Sequence, residues 1–314
     1  MTHAVETFGL ERRFGSLDAV RGLDLQVPQG SVFALVGPNG AGKTTTLKML
    51  MNLIRPSSGR ATVLGTDSRR LGSSEFQRIG YVSENQELPF WMTPAQLFDY
   101  CRPLYPAWDA ALERTLLRDL DLDDRQPLWK LSRGTRMKAA LLSSLAYHPE
   151  LVVLDEPFSG LDPLVRDELT RGLLETSDTG GWSVLLSSHD IEEVERLADW
   201  IGFIDRGRLI FAEPVASLLD RFRRIEVVAP EGDAPALPSG VNALSVERAG
   251  RTLRFVDDRH TTSDIERQMT AAIPGAAVSA LPVPLREIFV TLARETASSR
   301  RLAQGKAEEL LEAS

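Results

Sequence analysis

A short glycine-rich segment carries the clearest chemical pattern in the sequence. It fits the pattern G-x-x-x-x-G-K-S/T, whose glycines let backbone N–H groups close on phosphate oxygens. A lysine at this place can reach the β- and γ-phosphates of a nucleotide, and the threonine after it offers a hydroxyl to Mg²⁺. The alternative is a plain glycine turn between a strand and a helix. The candidate ligands of this phosphate loop are Gly37, Pro38, Asn39, Gly40, Ala41, Gly42, Lys43, Thr44 and Thr45.

Two acidic residues, Asp155 and Glu156, follow the apolar segment 151–154. In open α/β sheets, ligands bind at the carboxyl ends of the strands. There Asp155 would hold Mg²⁺ beside Thr44, and Glu156 would polarise a water attacking the γ-phosphate. Acids after a strand more often form a solvated turn, but the phosphate loop upstream favours the catalytic interpretation.

Alternating strands and helices must position these residues. A continuous apolar strand is predicted at 31–36, before the glycine loop, and a helix at about 43–53. Further fully apolar strands, typical of a parallel sheet covered on both faces, are predicted at 151–154, 184–187 and 201–204. Short strands are predicted before residue 36, with 23–27 as one alternating segment, and at 60–82. Helices are predicted near 95–100, 108–120, 135–145, 163–176 and 191–197.

The composition changes after about residue 214. Residues 229–240 are rich in Pro, Gly and Ala and predict a loop. Alternating segments at 224–228 and 244–256, with helices near 263–272 and 285–294, predict a small α+β domain. The tail 296–314 is polar and carries a short helical pattern at 301–312.

Composition excludes several classes of protein. With 36 basic and 44 acidic residues the net charge is −8, which argues against a nucleic-acid binder because such a protein needs a basic face. The one cysteine, Cys101, excludes an internal disulfide framework and a cysteine-based zinc site. No apolar run approaches the ~20 residues that span a bilayer, and the N-terminus lacks the apolar segment of a secretory signal. We therefore expect a cytoplasmic protein whose membrane role, if any, comes through a partner.

Further motifs follow the glycine loop in a fixed order. Residues 131–135 read LSRGT before a helix, 159–162 read SGLD after the acidic pair, and 187–190 read SSHD at a strand end. With these motifs, residues 5–215 resemble the ATP-binding subunit of an ABC transporter, of the bacterial export type. The resemblance implies ATP and Mg²⁺ as the bound species.

The resemblance also implies roles for single residues. Phe14 lies where the family has an aromatic side chain that stacks on adenine, and His189 is the histidine that contacts the γ-phosphate. Ser132 and Gly134 would meet the nucleotide bound by a facing subunit, and Asp162 would contact that subunit. Two nucleotides are then enclosed between two head-to-tail protomers. Considered alone, Ser132 indicates a helix cap, His189 a loop histidine and Phe14 a core residue.

Two positions depart from the family pattern. Arg133 replaces the first glycine of the LSGGQ motif, and Thr135 replaces its glutamine. Arg133 would either lie near phosphate or point outward. The family places a glutamine after the strand at 79–82, where this chain has Glu84. Glu84 would approach Mg²⁺ or the attacking water.

A stretch rich in aromatic residues, 88–108, lies within the predicted helices. The core of a helical subdomain explains most of it. The second interpretation is a groove for a helix of a membrane subunit, since aromatic residues and Met are enriched at interfaces and the family docks its partner there. Residues 284–290 resemble the ending of ATPases from bacterial drug- and lipid-export systems, which pair with a separate membrane protein.

The expected fold is α/β, a P-loop NTPase of the ABC ATPase type with an antiparallel β lobe and a helical subdomain, plus a small C-terminal α+β domain. The expected domains are an ATPase domain at 1–214, with the helical subdomain at about 88–147, and an accessory domain at 215–295. A polar tail is expected at 296–314.

The expected function is ATP hydrolysis that powers a transmembrane permease subunit. The chain would work as an ATP-dependent homodimer or as a heterodimer with another ATPase subunit, on the inner face of the cell membrane. One alternative is an ABC ATPase of DNA repair or translation, but such proteins usually carry two ATPase units or long coiled-coil insertions. The other is a regulatory module that holds nucleotide without turnover, and Glu156 argues against it.

Overall fold

The computed structural model describes residues 2–84, 86–238, 241, 243–259 and 264–295. They form two compact units that divide between Glu213 and Pro214. The expected tail, 296–314, lies outside the described residues, as do 239–240 of the expected loop and residue 263 of an expected helix.

The first unit alternates strands and helices, and β11 runs to its boundary. Its strands are β1 (His3–Phe14), β2 (Leu17–Leu23), β3 (Gln26–Pro28), β4 (Val32–Val36), β5 (Ser58–Val63), β6 (Thr66–Asp67), β7 (Ile79–Ser83), β8 (Leu151–Asp155), β9 (Ser183–Ser188), β10 (Trp200–Asp205) and β11 (Arg208–Pro214). Its helices are α1 (Lys43–Leu50), α2 (Ser73–Phe76), α3 (Pro94–Cys101), α4 (Ala110–Asp119), α5 (Arg133–Leu145), α6 (Pro163–Gly180) and α7 (Ile191–Leu197).

The main sheet of this unit has the strand order β11-β10-β4-β9-β8-β7, and the pairs from β10 to β7 are parallel. All residues of β8 and β9 are buried, as expected for central strands covered on both faces. Because the strands are parallel, Ser83, Asp155 and Ser187 lie beside one another at the carboxyl edge. The acidic pair therefore sits next to the ends of two neighbouring strands.

A second, antiparallel sheet joins β2, β1, β5 and β6, with β3 paired to β1. The segment 23–27, predicted as one strand, is divided between β2 and β3. The break comes from side-chain bonds to the neighbouring strand β1, since the Asp24 carboxylate accepts the Gly9 N–H at 2.6 Å and the Thr7 hydroxyl oxygen accepts the Leu25 N–H at 2.8 Å. Side-chain bonds thus supplement the backbone at this bend, where the Thr7 N–H still donates to the Leu25 carbonyl at 2.8 Å.

The helical region between β7 and β8 contains α3, α4 and α5. Side-chain caps set where these helices begin: Thr93 accepts the Gln96 N–H, Asp109 accepts two N–H groups and Ser132 accepts the Thr135 N–H. Of the aromatic stretch, Phe98 is buried whereas Trp91 and Tyr100 are largely exposed. The core interpretation therefore explains part of this stretch and leaves an exposed part.

The second unit is an antiparallel sheet with helices. It contains α8 (Val215–Arg221), β12 (Arg223–Val228), β13 (Leu244–Ala249), β14 (Thr252–Asp257), α9 (Asp264–Ala272), β15 (Ala277–Pro282) and α10 (285–295). The sheet order is β13-β14-β12-β15, and Ile225, Phe255 and Met269 pack in its core. Strand β15 was not predicted from the sequence, because its mostly exposed side chains give a weak alternation.

Across the described ranges of both units, every helix is too short or too polar to cross a lipid bilayer.

Candidate functional site

The phosphate loop connects the buried strand β4 to helix α1. Two of its glycines are required by close approaches: a Cβ at Gly37 would collide with the Ile204 carbonyl, and one at Gly42 would lie 2.5 Å from the Ala19 carbonyl oxygen. Gly42 also has a φ of 109°, which favours glycine. Gly42 is the N-cap of α1 and provides no side-chain cap, so the first N–H groups of this helix are directed at the loop as an anion site.

The loop is held against the antiparallel sheet. The Gly207 N–H donates to the Ala41 carbonyl at 2.7 Å, and the Arg21 N–H donates to the Gly207 carbonyl at 2.8 Å. With the contact between Gly42 and Ala19, these bonds join the loop to strand β2, which belongs to the same sheet as Phe14.

Lys43 is folded back over the loop that it follows. Its Nζ donates to the Gly37 carbonyl at 2.7 Å and lies 3.0 Å from Oε1 of Glu156. Both side chains are buried. The structure therefore joins the basic residue of the phosphate loop to the second residue of the acidic pair.

Asp155 ends strand β8 and holds two hydroxyl groups. Thr44 Oγ1 donates to Asp155 Oδ1 at 2.9 Å, and Ser187 Oγ donates to the same oxygen at 2.8 Å. Burial raises the pKa of Asp155 above its ordinary value, while the hydrogen bonds from Ser187 and Thr44 act in the opposite direction. This carboxylate and the Thr44 hydroxyl form a pair of hard oxygen donors.

Glu156 has a left-handed backbone, with a φ of 51°, which is uncommon for a residue other than glycine. Its N–H donates to Ser187 Oγ at 3.0 Å, and its Oε2 lies 2.7 Å from Nδ1 of His189. One carboxylate thus contacts both Lys43 and the histidine that follows β9. With this backbone conformation, the Glu156 side chain lies at the carboxyl ends of the strands, in contact with Lys43 and His189.

A cavity of about 660 Å³ brings most of the predicted ligands together. Phe14 lies on its lining and is 44% exposed, with the Arg12 guanidinium 4.3 Å from its ring centre, so it is not a core residue. The predicted residues that line the cavity are Phe14, Asn39, Gly40, Ala41, Gly42, Lys43, Thr44, Thr45, Glu84, Glu156 and His189. Gly37 and Asp155 contact this set through Lys43 and Thr44.

Three predicted residues serve helix ends in the structure. Ser132 caps α5, and the Asp162 carboxylate accepts the N–H groups of Leu164 and Val165 at the start of α6. A Cβ at Gly134 would lie 2.9 Å from Val165, so glycine lets the two helix starts approach closely. The described chain does not bring these residues onto the cavity lining.

Glu84 contacts two residues that were not predicted as its partners. Its Oε1 accepts hydrogen bonds from Ser159 Oγ at 2.8 Å and from Arg133 Nη2 at 3.2 Å. Arg133 therefore turns toward its own chain's Glu84, and neither of the two expected orientations described this contact. The one feature of the sequence that could have indicated this contact is that Glu84 and Arg133 both depart from the family pattern.

Comparison with known proteins gives consistent results. Residues 20–159 match the sequence profile of the family described as ABC transporter. The chain is 35% identical to a daunorubicin resistance ATP-binding protein of Streptomyces coeruleorubidus, over 96% of this chain and 98% of that protein. It is 28% identical to a bacitracin transport ATP-binding protein of Enterococcus faecalis, over 85% of this chain and 89% of that protein. A solved ATP-binding subunit of an ABC transporter matches with a TM-score of 0.63 and 26% identity, over 70% of this chain and 92% of that one.

The expected fold class is confirmed by these comparisons. ABC ATP-binding subunits bind nucleotide, dimerise and work with transmembrane components. Because the similarity extends over nearly the full length of the Streptomyces relative, it assigns the family as well as the fold. The chain belongs to the ATP-binding subunits of ABC transporters, and it is an ATPase that powers transport.

Proposed function

We propose that the cavity binds ATP with adenine against Phe14 and the phosphates within the loop 37–45. The exposed ring of Phe14 and the free helix N-terminus after Gly42 support this orientation, because a flat apolar face suits the base and N–H groups suit the anion. Lys43 would exchange its contact with Glu156 for the β- and γ-phosphates.

The donor set beside the loop fits Mg²⁺. Mg²⁺ is usually held by one or two protein oxygens together with substrate phosphates and water. Thr44 and Asp155 supply such oxygens, and no group of three or more His, Cys, Asp or Glu suited to a metal occurs among the described residues. When bound with ATP, Mg²⁺ would neutralise phosphate charge. Glu84 is 36% exposed on the same cavity and is proposed as a further, water-mediated contact.

Glu156 is proposed to orient and polarise the water that attacks the γ-phosphate in line. The observation that carries this proposal is the contact of one buried carboxylate with both Lys43 and His189 at the carboxyl end of the sheet. His189 is 44% exposed and would donate a hydrogen bond to a γ-phosphate oxygen. The water oxygen would bond to the γ-phosphorus while the bond from that phosphorus to the β–γ bridging oxygen breaks, so that ADP leaves and the proton of the water passes to Glu156.

A second subunit would complete the site. Ser132, Gly134 and Asp162 lie at the starts of α5 and α6, away from the cavity lining of their own chain. An N-terminus of this kind binds anions, so it is proposed to meet the γ-phosphate held by a facing protomer. The pair would be a homodimer or a heterodimer with another ATPase subunit.

Transport is proposed to proceed outward, through a separate permease. The two relatives named for daunorubicin resistance and bacitracin transport support export of an antibiotic-like compound. The exposed Phe90 and Trp91 of the helical region would contact the permease, which would hold the chain on the cytoplasmic face of the membrane. In domain terms, 1–214 is the ATPase with its helical subdomain at 88–147, 215–295 is an accessory domain and 296–314 is the tail.

Phosphate release and oligomeric state of the purified full chain test this proposal. We expect Mg²⁺-dependent ATP hydrolysis and a dimer that forms with ATP, measured by light scattering after size exclusion. A chain that binds ATP but releases no phosphate, both alone and with the membrane protein encoded beside it, would instead be a regulatory nucleotide-binding module.

A further inference from the structure

Two residues that depart from the family pattern are in direct contact with each other. Arg133 Nη2 donates to Glu84 Oε1 at 3.2 Å, across 49 residues of sequence. The same oxygen accepts a hydrogen bond from Ser159 Oγ at 2.8 Å. The guanidinium also lies over Gly160, where a Cβ would come within 2.7 Å of Arg133 Nη1. Arg133 therefore contacts two separate segments of the chain, one at Glu84 and one at Gly160.

Each carboxylate on the lining of the nucleotide cavity, within the described residues, has a basic partner. Asp18 pairs with Arg13 at 2.5 Å, and Glu156 pairs with Lys43 at 3.0 Å. Glu84 pairs with Arg133, which lies on a neighbouring cavity of about 400 Å³. Glu84 lines both cavities. Arg133 thus pairs with this carboxylate from the neighbouring cavity.

An unpaired carboxylate on this lining would oppose the binding of a triphosphate, because like charges repel and the repulsion is strongest where water is partly excluded. A neutral glutamine at position 84 would need no counter-ion, and glycine at position 133 would then suffice. The acid and the arginine therefore compensate each other as a pair.

We propose that Arg133 is a positioning residue that neutralises Glu84, so that Glu84 can hold Ser159 without weakening ATP binding. This inference rests on the proposed binding of ATP in the cavity. Since Arg133 and Glu84 are 42% and 36% exposed, their contribution to folding stability is small. Their effect is expected in nucleotide affinity.

Charge-only substitutions separate this role from simple packing. Affinity is measured for ATPγS in EDTA, so that the proposed contact of Glu84 with Mg²⁺ does not contribute. Removing the cation in Arg133→Gln leaves Glu84 uncompensated and should weaken this affinity by about three- to tenfold at low salt. Glu84→Gln removes the repelling charge, so this metal-free affinity should stay the same or increase. The double variant should return to within about twofold of the wild type. Isothermal titration calorimetry of the full chain measures all four proteins.

Two controls test whether the effect comes from charge: the dependence of the affinity on salt, and the same substitution at an arginine elsewhere on the surface. The deficit of Arg133→Gln should shrink as KCl rises from about 50 to about 500 mM, because screening removes charge repulsion. Arg125→Gln makes the same charge change at a side chain that is 86% exposed and paired with Asp123, and it should bind like the wild type.

Three results would overturn the proposal: unchanged affinity in Arg133→Gln, weakened affinity in Glu84→Gln, or a double variant as weak as Arg133→Gln. Failure of the wild type to bind Mg²⁺·ATPγS would instead remove the proposed function itself. The melting temperature of each variant reports whether a loss of affinity comes from loss of fold.

Discussion

Lys43 and Glu156 are joined by a 3.0 Å ion pair in which the side chains are 5% and 10% exposed. The lysine belongs to the phosphate loop and the glutamate follows strand β8, so the pair connects the groups proposed to bind phosphate and to activate water. A triphosphate would compete with Glu156 for the ammonium group. Arrival of substrate would then free the carboxylate for its proposed work.

Substitution of Glu156 by glutamine should keep ATP binding and abolish turnover. The amide preserves the shape of the side chain, and its oxygen can still accept from Lys43, but it cannot take a proton from water. We expect kcat to fall by at least about a hundredfold, with an ATP-dependent dimer visible by size exclusion. Glu150→Gln, at an exposed glutamate paired with Arg78, is the control. Turnover at the wild-type rate in Glu156→Gln would show that another group activates water.

Substitution of Lys43 by alanine should act on binding. Loss of a charged hydrogen bond to phosphate costs ~1.5–3 kcal/mol, so ATP affinity should fall by about ten- to a hundredfold or more. Calorimetric titration with ATP measures the change. Lys48→Ala, at an exposed lysine of the same helix, should bind normally. Unchanged affinity in Lys43→Ala would contradict the assignment of the phosphate loop.

Substitution of Asp155 by asparagine should remove the metal-dependent part of ATP binding. The neutral amide offers a poorer ligand to Mg²⁺, so affinity with Mg²⁺ should fall to the value measured with EDTA. The acidic side of the pH profile gives a second readout. Since burial raises the pKa of Asp155, the wild type should lose its Mg²⁺-dependent affinity as pH falls through that raised value, because protonation removes the ligand. An Asp155→Asn variant with the same Mg²⁺ dependence as the wild type would exclude this residue as a ligand.

Substitution of Phe14 by alanine should weaken ATP more than inorganic triphosphate, which has no base to stack. Stacking of a base on an aromatic ring is worth ~1–3 kcal/mol, or about five- to a hundredfold in affinity. Phe8→Ala is a matched control, since Phe8 lies on the same strand and also has an arginine, Arg60, over its ring. Equal losses of affinity for the two ligands would place the base elsewhere.

Substitution of Ser132 by aspartate should separate helix capping from contact with a second subunit. Aspartate caps a helix as well as serine does, so the melting temperature should hold. Its charge would repel the facing γ-phosphate, and ATP-dependent dimerisation and turnover should fall by at least about tenfold. Thr93→Ala removes the comparable cap of α3 and should keep turnover. Normal turnover in Ser132→Asp would leave Ser132 as a helix cap alone.

The strands and helices around the loop could be predicted from sequence because local patterns determine them. The glycine loop, the strand before Asp155 and the helix caps each depend on a few neighbouring residues. The break at Asp24 could not be predicted, since it depends on a bond to Gly9 in another strand. The spacing of residues also gave no sign that α1 ends at Leu50, three residues earlier than expected.

Long-range pairing limited the prediction of the site in the same way. Sequence motifs predicted many members of the cavity lining but not Asp18, Arg21 or Arg206, and the partners within the lining come from tertiary structure. Glu84 reaches Ser159 and Arg133 across 75 and 49 residues, and Ser187 joins Asp155 to the backbone of Glu156 across a strand boundary. No local pattern encodes contacts of this kind.

The bonds that hold the phosphate loop against strand β2 have a consequence for which nucleotides fit. Ala19 packs against Gly42, and the Gly207 N–H donates to the Ala41 carbonyl. These contacts hold the phosphate loop directly against the antiparallel sheet that carries Phe14. The distance between the ring of Phe14 and Lys43 is then set by the protein, so the cavity selects nucleotides by the length of their phosphate chain. A nucleotide with one phosphate too few would reach the ring of Phe14 and offer Lys43 its β-phosphate, yet it would leave the γ-phosphate position beside Glu156 and His189 empty.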